Sequence, residues 1–527
     1  MASHEKRNSP RQGFLHGAVI LTAGAILAKI VGALFKIPLT RIIGTEGAGH
    51  FNAAYNIYIV LLNISSTGLP LAVSRLISEA DALKQPERLH AVRRMSLMLF
   101  WLIGTVSGIG MFFGADVLAG LIRDPEAVYA IRILSPAVLF VCISSSFRGY
   151  FQGLQYMTPT AVAQVFEALC KLLIGLAAVI VTQRLGWHVA QTAGAAITGV
   201  TIGAGLGCGY FYLQYRKMPQ IKYSRSQKIS GADTAMQILR LAVPITIGAT
   251  GLQIFNAIGS GVILGRLQDR LGYDLSFASS LYGIFTMAQT LYLLPSALIQ
   301  PLTVSMIPAV TESLTLGKGT DARKKEESAL RITALLALPA GAGLAVLASP
   351  IQQLLYGYDE GTLLIAGPTL AILGIASVGY CLILVTNAIL QAHGKAVYAV
   401  CSTVVGGVTN LLVTYVLVSN PDIHILGAAW GVAVYCAVTL GCNLLFVRML
   451  VSDPPHFLAQ IAKPAAASLV MACVAGAAFV WTHSAAAAIA AAAMVYFALV
   501  VLLKMLTRED CMTLPKGQLI AKLLRLN

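Results

Sequence analysis

Charged residues are scarce in this chain. Asp, Glu, Lys and Arg make up 11% of 527 residues, where a soluble domain carries about 25%. A water-facing surface cannot be built from so few charges, and the solvent of such a chain is lipid. Acidic residues are scarcer than basic ones, 22 against 37, for a net charge of +15. The basic residues fall between apolar runs and form no continuous stripe, which argues against nucleic acid and for topology signals and contact with anionic membrane lipids.

Other absences narrow the chemistry. The nine cysteines (Cys142, Cys170, Cys208, Cys381, Cys401, Cys436, Cys442, Cys473 and Cys511) include no CxxC pair and no Cys/His spacing suited to zinc, so they read as small core residues. Gly317-Lys318-Gly319-Thr320 lacks the first glycine of a phosphate-binding loop, so ATP is not expected as a direct energy source. Neither H-E-x-x-H nor G-x-S-x-G is present, and the first loop offers only Glu46 as an acid. The chain reads as a non-enzyme without a cofactor, with coupling to Na+ or H+ left open.

What is abundant is apolar sequence, 57% of the chain. Runs long enough to cross a hydrocarbon core of about 30 Å fall near 14–36, 50–77, 95–119, 128–150, 159–182, 189–214, 238–264, 279–307, 329–350, 362–389, 396–419, 425–447, 464–482 and 485–506. The fold class is therefore all-α, a polytopic membrane protein of about fourteen transmembrane helices. Proline should break the second run at Gly68-Leu69-Pro70 and the eighth at Gln300-Pro301. The basic head (Lys6, Arg7, Arg11) precedes a run too long for a signal-peptide core, so the first helix is read as uncleaved. Alternate loops carry the lysines and arginines, which places both termini in the cytoplasm.

Pro70-Leu71-Ala72-Val73-Ser74 and Pro301-Leu302-Thr303-Val304-Ser305 look alike, as do Ser135-Pro136 with Gly367-Pro368 and Phe151-Gln152-Gly153 with Leu390-Gln391-Ala392, all at a similar offset. With six runs on each side of a basic segment, this suggests two six-helix lobes as a parallel pseudo-repeat. The expected division is an N-terminal lobe over 1–214, a basic cytoplasmic linker over 215–235, a C-terminal lobe over 236–449, and two further helices with a cytoplasmic tail over 450–527.

Charges inside spans are costly, about 2.5–3.5 kcal/mol each at the bilayer centre, unless they face water or a partner. Lys29 and Lys36 lie within about 20° of one helix face, with Arg41 just beyond; they suit either an anionic headgroup or, for Lys36 and Arg41, an interface. Asn52, Asn56 and Asn63 form a polar stripe, followed by Arg75; amides can bind sugar hydroxyls or tie helices together. Glu167 and Lys171 have the spacing of an intrahelical ion pair, structural or coupling in role. In the second half Gln253, Asn256 and Ser260 share a face, as do Gln289 and Gln300, and Asn387, Gln391 and Asn410 continue the neutral character. The expectation is a cavity positive on its N-terminal side and neutral opposite.

Three stretches carry a family resemblance: Lys29-Ile30-Val31-Gly32 through Pro38-Leu39-Thr40-Arg41-Ile42-Ile43-Gly44-Thr45-Glu46-Gly47; Gly68-Leu69-Pro70-Leu71-Ala72-Val73-Ser74-Arg75; and Arg148-Gly149-Tyr150-Phe151-Gln152-Gly153-Leu154-Gln155 with Met157-Thr158-Pro159-Thr160-Ala161-Val162. With these the sequence resembles the polysaccharide-transport and lipid II flippase branch of the multidrug/oligosaccharidyl-lipid/polysaccharide exporter superfamily, including stage V sporulation protein B and MurJ-like proteins. The resemblance implies alternating access in a bacterial plasma membrane and a cationic cavity built from Lys29, Lys36 and Arg41. It also implies an undecaprenyl-pyrophosphate-linked saccharide as cargo and cell-wall synthesis machinery as a partner. MurJ-like proteins tend to carry an arginine on the eighth helix, and this chain has none in that run. A multidrug antiporter of the same superfamily and a non-transporting scaffold for cell-wall or spore-cortex assembly are the alternatives.

Overall fold

The computed structural model describes residues 14–63, 68–218, 231–503 and 505. The basic head, most of the 215–235 linker and the tail past 505 lie outside the described residues. Among the described residues the chain is helical with no strand, the outcome required where lipid offers no partner for backbone N–H and C=O groups.

The helices are α1 (Phe14–Asn63), α2 (Leu69–Ala82), α3 (Pro86–Phe113), α4 (Ala115–Leu121), a 3-10 turn (Pro125–Ala127), α5 (Val128–Gly153), α6 (Thr158–Arg184), α7 (Val189–Lys217), α8 (Gly231–Gly265), α9 (Leu275–Tyr292) and α10 (Leu294–Thr315). They continue as α11 (Gly319–Val346), α12 (Ala348–Tyr356), α13 (Glu360–Ala392), α14 (Ala396–Leu417), α15 (Leu426–Leu450), α16 (Phe457–Thr482) and α17 (Ala485–Leu502). Eleven helices among the described residues are long and apolar enough to cross a membrane. The other three runs expected from the sequence fall on the two arms of α1, the second continued by α2, and on α8.

Local chemistry explains several boundaries. Pro159 and Pro295 sit in the first turns of α6 and α10, where a missing N–H removes nothing the helix uses. Asp359 caps α13, accepting from Thr362 N at 3.3 Å and Thr362 Oγ1 at 2.6 Å, and Ser484 caps α17. α2 is described from Leu69, with Pro70 in its first turn and Gly68 already in helical geometry; residues 64–67, on which the expected break bears, lie outside the described residues.

Two boundaries differ from expectation. The segment 37–49, read as a loop between the first two runs, is helical, and α1 is interrupted only at Gly44, whose φ of 70° and ψ of −173° are open to glycine alone. The eighth run breaks at Leu293, between α9 and α10, while Pro301 lies inside α10. A first-turn proline at 295 marks that break, whereas the helix absorbs Pro301 with the loss of one backbone bond.

The chain forms two compact units: residues 1–265 with 274–283, and residues 266–273 with 284–527. In the first, α1 packs against α5, α6, α7 and α8, and α8 also packs on α2 and α3. In the second, α11 packs against α10, α13 and α16, and α16 carries α17. Its core gathers Ile299, Met306, Leu330, Val385, Leu390 and Val447. Large apolar side chains such as Phe113, Leu364, Leu458 and Trp481 point outward, as a lipid-facing surface requires.

Candidate functional site

The bend at Gly44 divides α1 into a proximal arm carrying Lys36 and a distal arm carrying Asn52. Lys36 Nζ donates to Asn52 Oδ1 at 3.1 Å, and Asn52 Nδ2 donates to Ala48 O at 2.6 Å. The amide thus turns its oxygen toward the ammonium because its nitrogen is spent on its own helix. Asn52 is buried.

From α6, Lys171 enters the same region. Its Nζ lies 4.2 Å from the Tyr55 ring centroid, 5.1 Å from Phe35 and 5.6 Å from Phe51, so aromatic faces solvate the ammonium. Lys36 and Lys171 thus reach the same stretch of the distal arm, Lys36 at Asn52 and Lys171 at Phe51 and Tyr55, where like charges repel. The ion pair expected between Glu167 and Lys171 is not formed; Glu167 Oε1 instead lies 3.8 Å from Arg148 Nη2 of α5. Four-residue spacing put both groups on one helical face, but the neighbouring helices supplied better partners: an arginine for the acid and three rings for the lysine.

Small residues make this closeness feasible. A Cβ on Gly199 of α7 would meet Gly175 N of α6 at 2.5 Å, one on Gly203 would meet Cys170 Cβ at 3.1 Å, and one on Gly207 would meet Glu167 Oε1 at 2.7 Å. This four-residue glycine stripe seats α7 on α6 at backbone distance, in the manner of small-residue membrane interfaces.

The other sequence-predicted residues are scattered. Lys29 is exposed on the proximal arm between exposed Leu27 and Ile30, and Arg41 and Arg75 are also exposed. Asn56 Nδ2 donates to Tyr282 Oη at 2.7 Å, and Asn63 Nδ2 to Ile59 O at 2.9 Å, so these amides serve helix contacts in this conformation. Gln253 is half-buried and Asn256 exposed on α8, in the first unit; Gln289 and Gln300 are half-buried in the second. There the buried polar centre is Asn443, whose Nδ2 donates to Thr386 Oγ1 at 2.9 Å and Asn387 Oδ1 at 2.8 Å.

Sequence reasoning missed the aromatic cage and Arg148 as site residues. Phe51, Tyr55 and Tyr58 recur at helical spacing on the distal arm, a signal that was available; Phe35 and Arg148 carry no such sign. What the cluster offers chemically is two ammonium groups, an amide and aromatic walls, with a carboxylate already committed to an arginine. Such a set of side chains has the chemistry to hold an anion attached to something that stacks on rings.

A model of the polysaccharide biosynthesis protein family matches residues 14–314. The chain is 26% identical to stage V sporulation protein B of Bacillus subtilis, over 80% of this chain and 81% of that protein. It is 27% identical to the lipid II flippase MurJ of the same organism, over 79% of this chain and 80% of that protein. Among solved structures, the lipid II flippase MurJ in an inward closed conformation aligns with TM-score 0.72 at 16% identity, covering 92% of this chain and 98% of that one. An inward-facing MATE-family transporter aligns with TM-score 0.68 at 16% identity, over 82% and 98%.

Proposed function

Since the chain belongs to the polysaccharide biosynthesis protein family and is a multi-pass membrane protein, we propose that it is a flippase for an undecaprenyl-pyrophosphate-linked saccharide, moving it from the inner to the outer leaflet of the bacterial plasma membrane. The observation that carries this reading is the Lys36–Lys171 cluster: two lysines held together within membrane-spanning helices, at a cost repaid when a pyrophosphate binds between them. The ring faces of Tyr55, Phe35 and Phe51 suit the apolar faces of a sugar. The polyprenyl tail stays in lipid while the headgroup exchanges water for these contacts. Lysine binds phosphate as a point charge without the fork of arginine, which favours pyrophosphate as a class over one fixed headgroup geometry.

The alternatives gain less. A drug antiporter for cations needs an available acid, and Glu167 is engaged by Arg148. A scaffold has no use for a costly cluster of cations.

The test is flipping of a fluorescent lipid-linked saccharide by the purified chain in liposomes. Lys171→Gln and Lys36→Gln are each expected to slow flipping about tenfold, equivalent to about 1.4 kcal/mol. Full rates in both variants would remove the basis for an anionic cargo.

A further inference from the structure

A second polar cluster lies in the first unit, apart from the lysines and not used by the mechanism above. His50, on the distal arm of α1, is completely buried, and so is Asp124, in the connection between α4 and the 3-10 turn. His50 Nδ1 lies 2.8 Å from Asp124 Oδ2 and 2.9 Å from Oδ1. On the opposite side of the ring, Nε2 lies 3.5 Å from Glu126 Oε2 and 3.9 Å from Glu46 Oε1 and makes no hydrogen bond. His188, at the N-cap of α7, brings Nδ1 to 3.6 Å from the same Glu126 oxygen. From α9, the Tyr282 hydroxyl accepts from Asn56 Nδ2 on the same arm as His50. The charged groups acting on His50 are Asp124, Glu126 and Glu46, and among the described residues no charged side chain of α5, α6 or α8 joins them.

The local backbone makes this contact deliberate. Arg123 takes a left-handed φ of 58°, unusual for a residue with a side chain. Asp124 N then donates to Ala119 O at 3.0 Å, and Ala127 N donates to Asp124 O at 3.1 Å, so the turn delivers the carboxylate inward. Two ring nitrogens both facing carboxylates cannot be satisfied by neutral imidazole. With its one proton on Nδ1 toward Asp124, the Nε2 lone pair would point at Glu126 and Glu46. With a second proton, both nitrogens donate, and a shift of about 0.5 Å by Glu126 completes a charge-assisted bond.

We propose that His50 with Asp124, Glu126 and Glu46 is a proton-binding site that latches the distal arm of α1 to the α4–α5 connection. Imidazolium holds the carboxylates together. When the proton leaves, the buried Asp124 and the half-buried Glu126 and Glu46 repel one another with no cation between them, and the two segments part. Because the distal arm also carries Asn52, Tyr55 and Phe51, the latch sets how firmly half of the lysine cluster is held. The proposal does not depend on the identity of the cargo.

The experiment uses the full chain in lipid nanodiscs, with ring-labelled histidine followed by NMR from about pH 5 to about pH 9, the His50 signal being assigned by its loss in His50→Gln. In parallel, hydrogen exchange over 45–49 and 119–128 is corrected for the chemical rate. The expected result is a doubly protonated His50 ring at the acid end. On passing its midpoint, exchange protection in both segments falls about tenfold together. Glu126→Gln, which removes one attracting charge, lowers the midpoint by about 1 pH unit. In His50→Gln the protection is low and flat with pH. A His50 ring that stays singly protonated throughout, a midpoint unmoved by Glu126→Gln, or unchanged pH dependence in His50→Gln each overturns the proposal. Should His50→Gln fail to fold, the wild-type titration and Glu126→Gln decide it. Flipping measured on the same samples separates the two readings, since a wild-type protein that titrates as described and moves no lipid-linked saccharide keeps the latch and loses the proposed cargo.

Discussion

At the scale of single residues, the aromatic cage makes a sharp prediction. Tyr55 supplies the ring nearest Lys171, and a cation over a ring contributes about 0.5–2 kcal/mol. Tyr55→Leu is expected to weaken saccharide-lipid capture several-fold in the liposome assay, while Tyr55→Phe keeps most of it; equal loss in both would shift the role to the hydroxyl. A second prediction concerns Asp359, whose carboxyl is held below its ordinary value of 3.8 by the Thr362 hydroxyl and amide. A depressed carboxyl stabilises the fold above its unfolded pKa, and the benefit fades as pH falls through the lower folded value. Asp359→Asn should therefore lower the thermal midpoint at neutral pH, with the gap to wild type closing below about pH 4. Residue-level legibility in the sequence was uneven. Lys36 and Lys171 stood out because a charge in an apolar run is conspicuous, and Asn52 because of its stripe. Their partners were not legible, since Lys171 chose rings on another helix over a carboxylate one turn away, and contacts between helices leave no fixed spacing. His50 and Asp124 meet across 74 positions, a pairing no local pattern announces.

At the scale of elements, the glycine stripe of α7 is the clearest test of packing. Gly199→Ala would drive a methyl group into the backbone of Gly175 at 2.5 Å, so α6 and α7 must separate, at about 1–3 kcal/mol. Gly209, on the same helix, has nothing within 4 Å of a Cβ, and Gly209→Ala should be neutral or stabilising by up to about 1 kcal/mol. Thermal unfolding in one detergent measures both, and a Gly199→Ala variant no less stable than Gly209→Ala would mean that the close approach to Gly175 does not limit packing there. Element boundaries followed the sequence only in part: a first-turn proline opens α2 at Pro70 and α10 at Pro295, whereas the sequence pointed to Pro301 as the break in the eighth run. They also departed from it at 37–49, which lies between the first two apolar runs and so reads as a loop. Polarity there reflects what the helix carries and not a break in it, because Gly44 alone supplies the turn.

For the whole molecule, hydropathy was a dependable guide because the bilayer imposes one requirement on every span, internal satisfaction of the backbone. Charge placement gives the remaining prediction. Reporter fusions at either terminus should behave as cytoplasmic, and a phosphatase inserted near Gly186 or Asp422 should be active outside the membrane; the opposite pattern would reverse the proposed direction of transport. One local feature has reach at this scale. In an uninterrupted rod, positions 36 and 52 would be about 24 Å apart along the axis, yet at the Gly44 bend their side chains touch at 3.1 Å. The Lys36–Asn52 pair, and the proposed binding cluster with it, is thus a product of curvature, and straightening α1 would separate the two side chains. Reciprocity follows from linkage: a guest that bridges the two arms must favour the curved form by as much free energy as curvature adds to its grip. Binding and bending are one equilibrium observed from two ends.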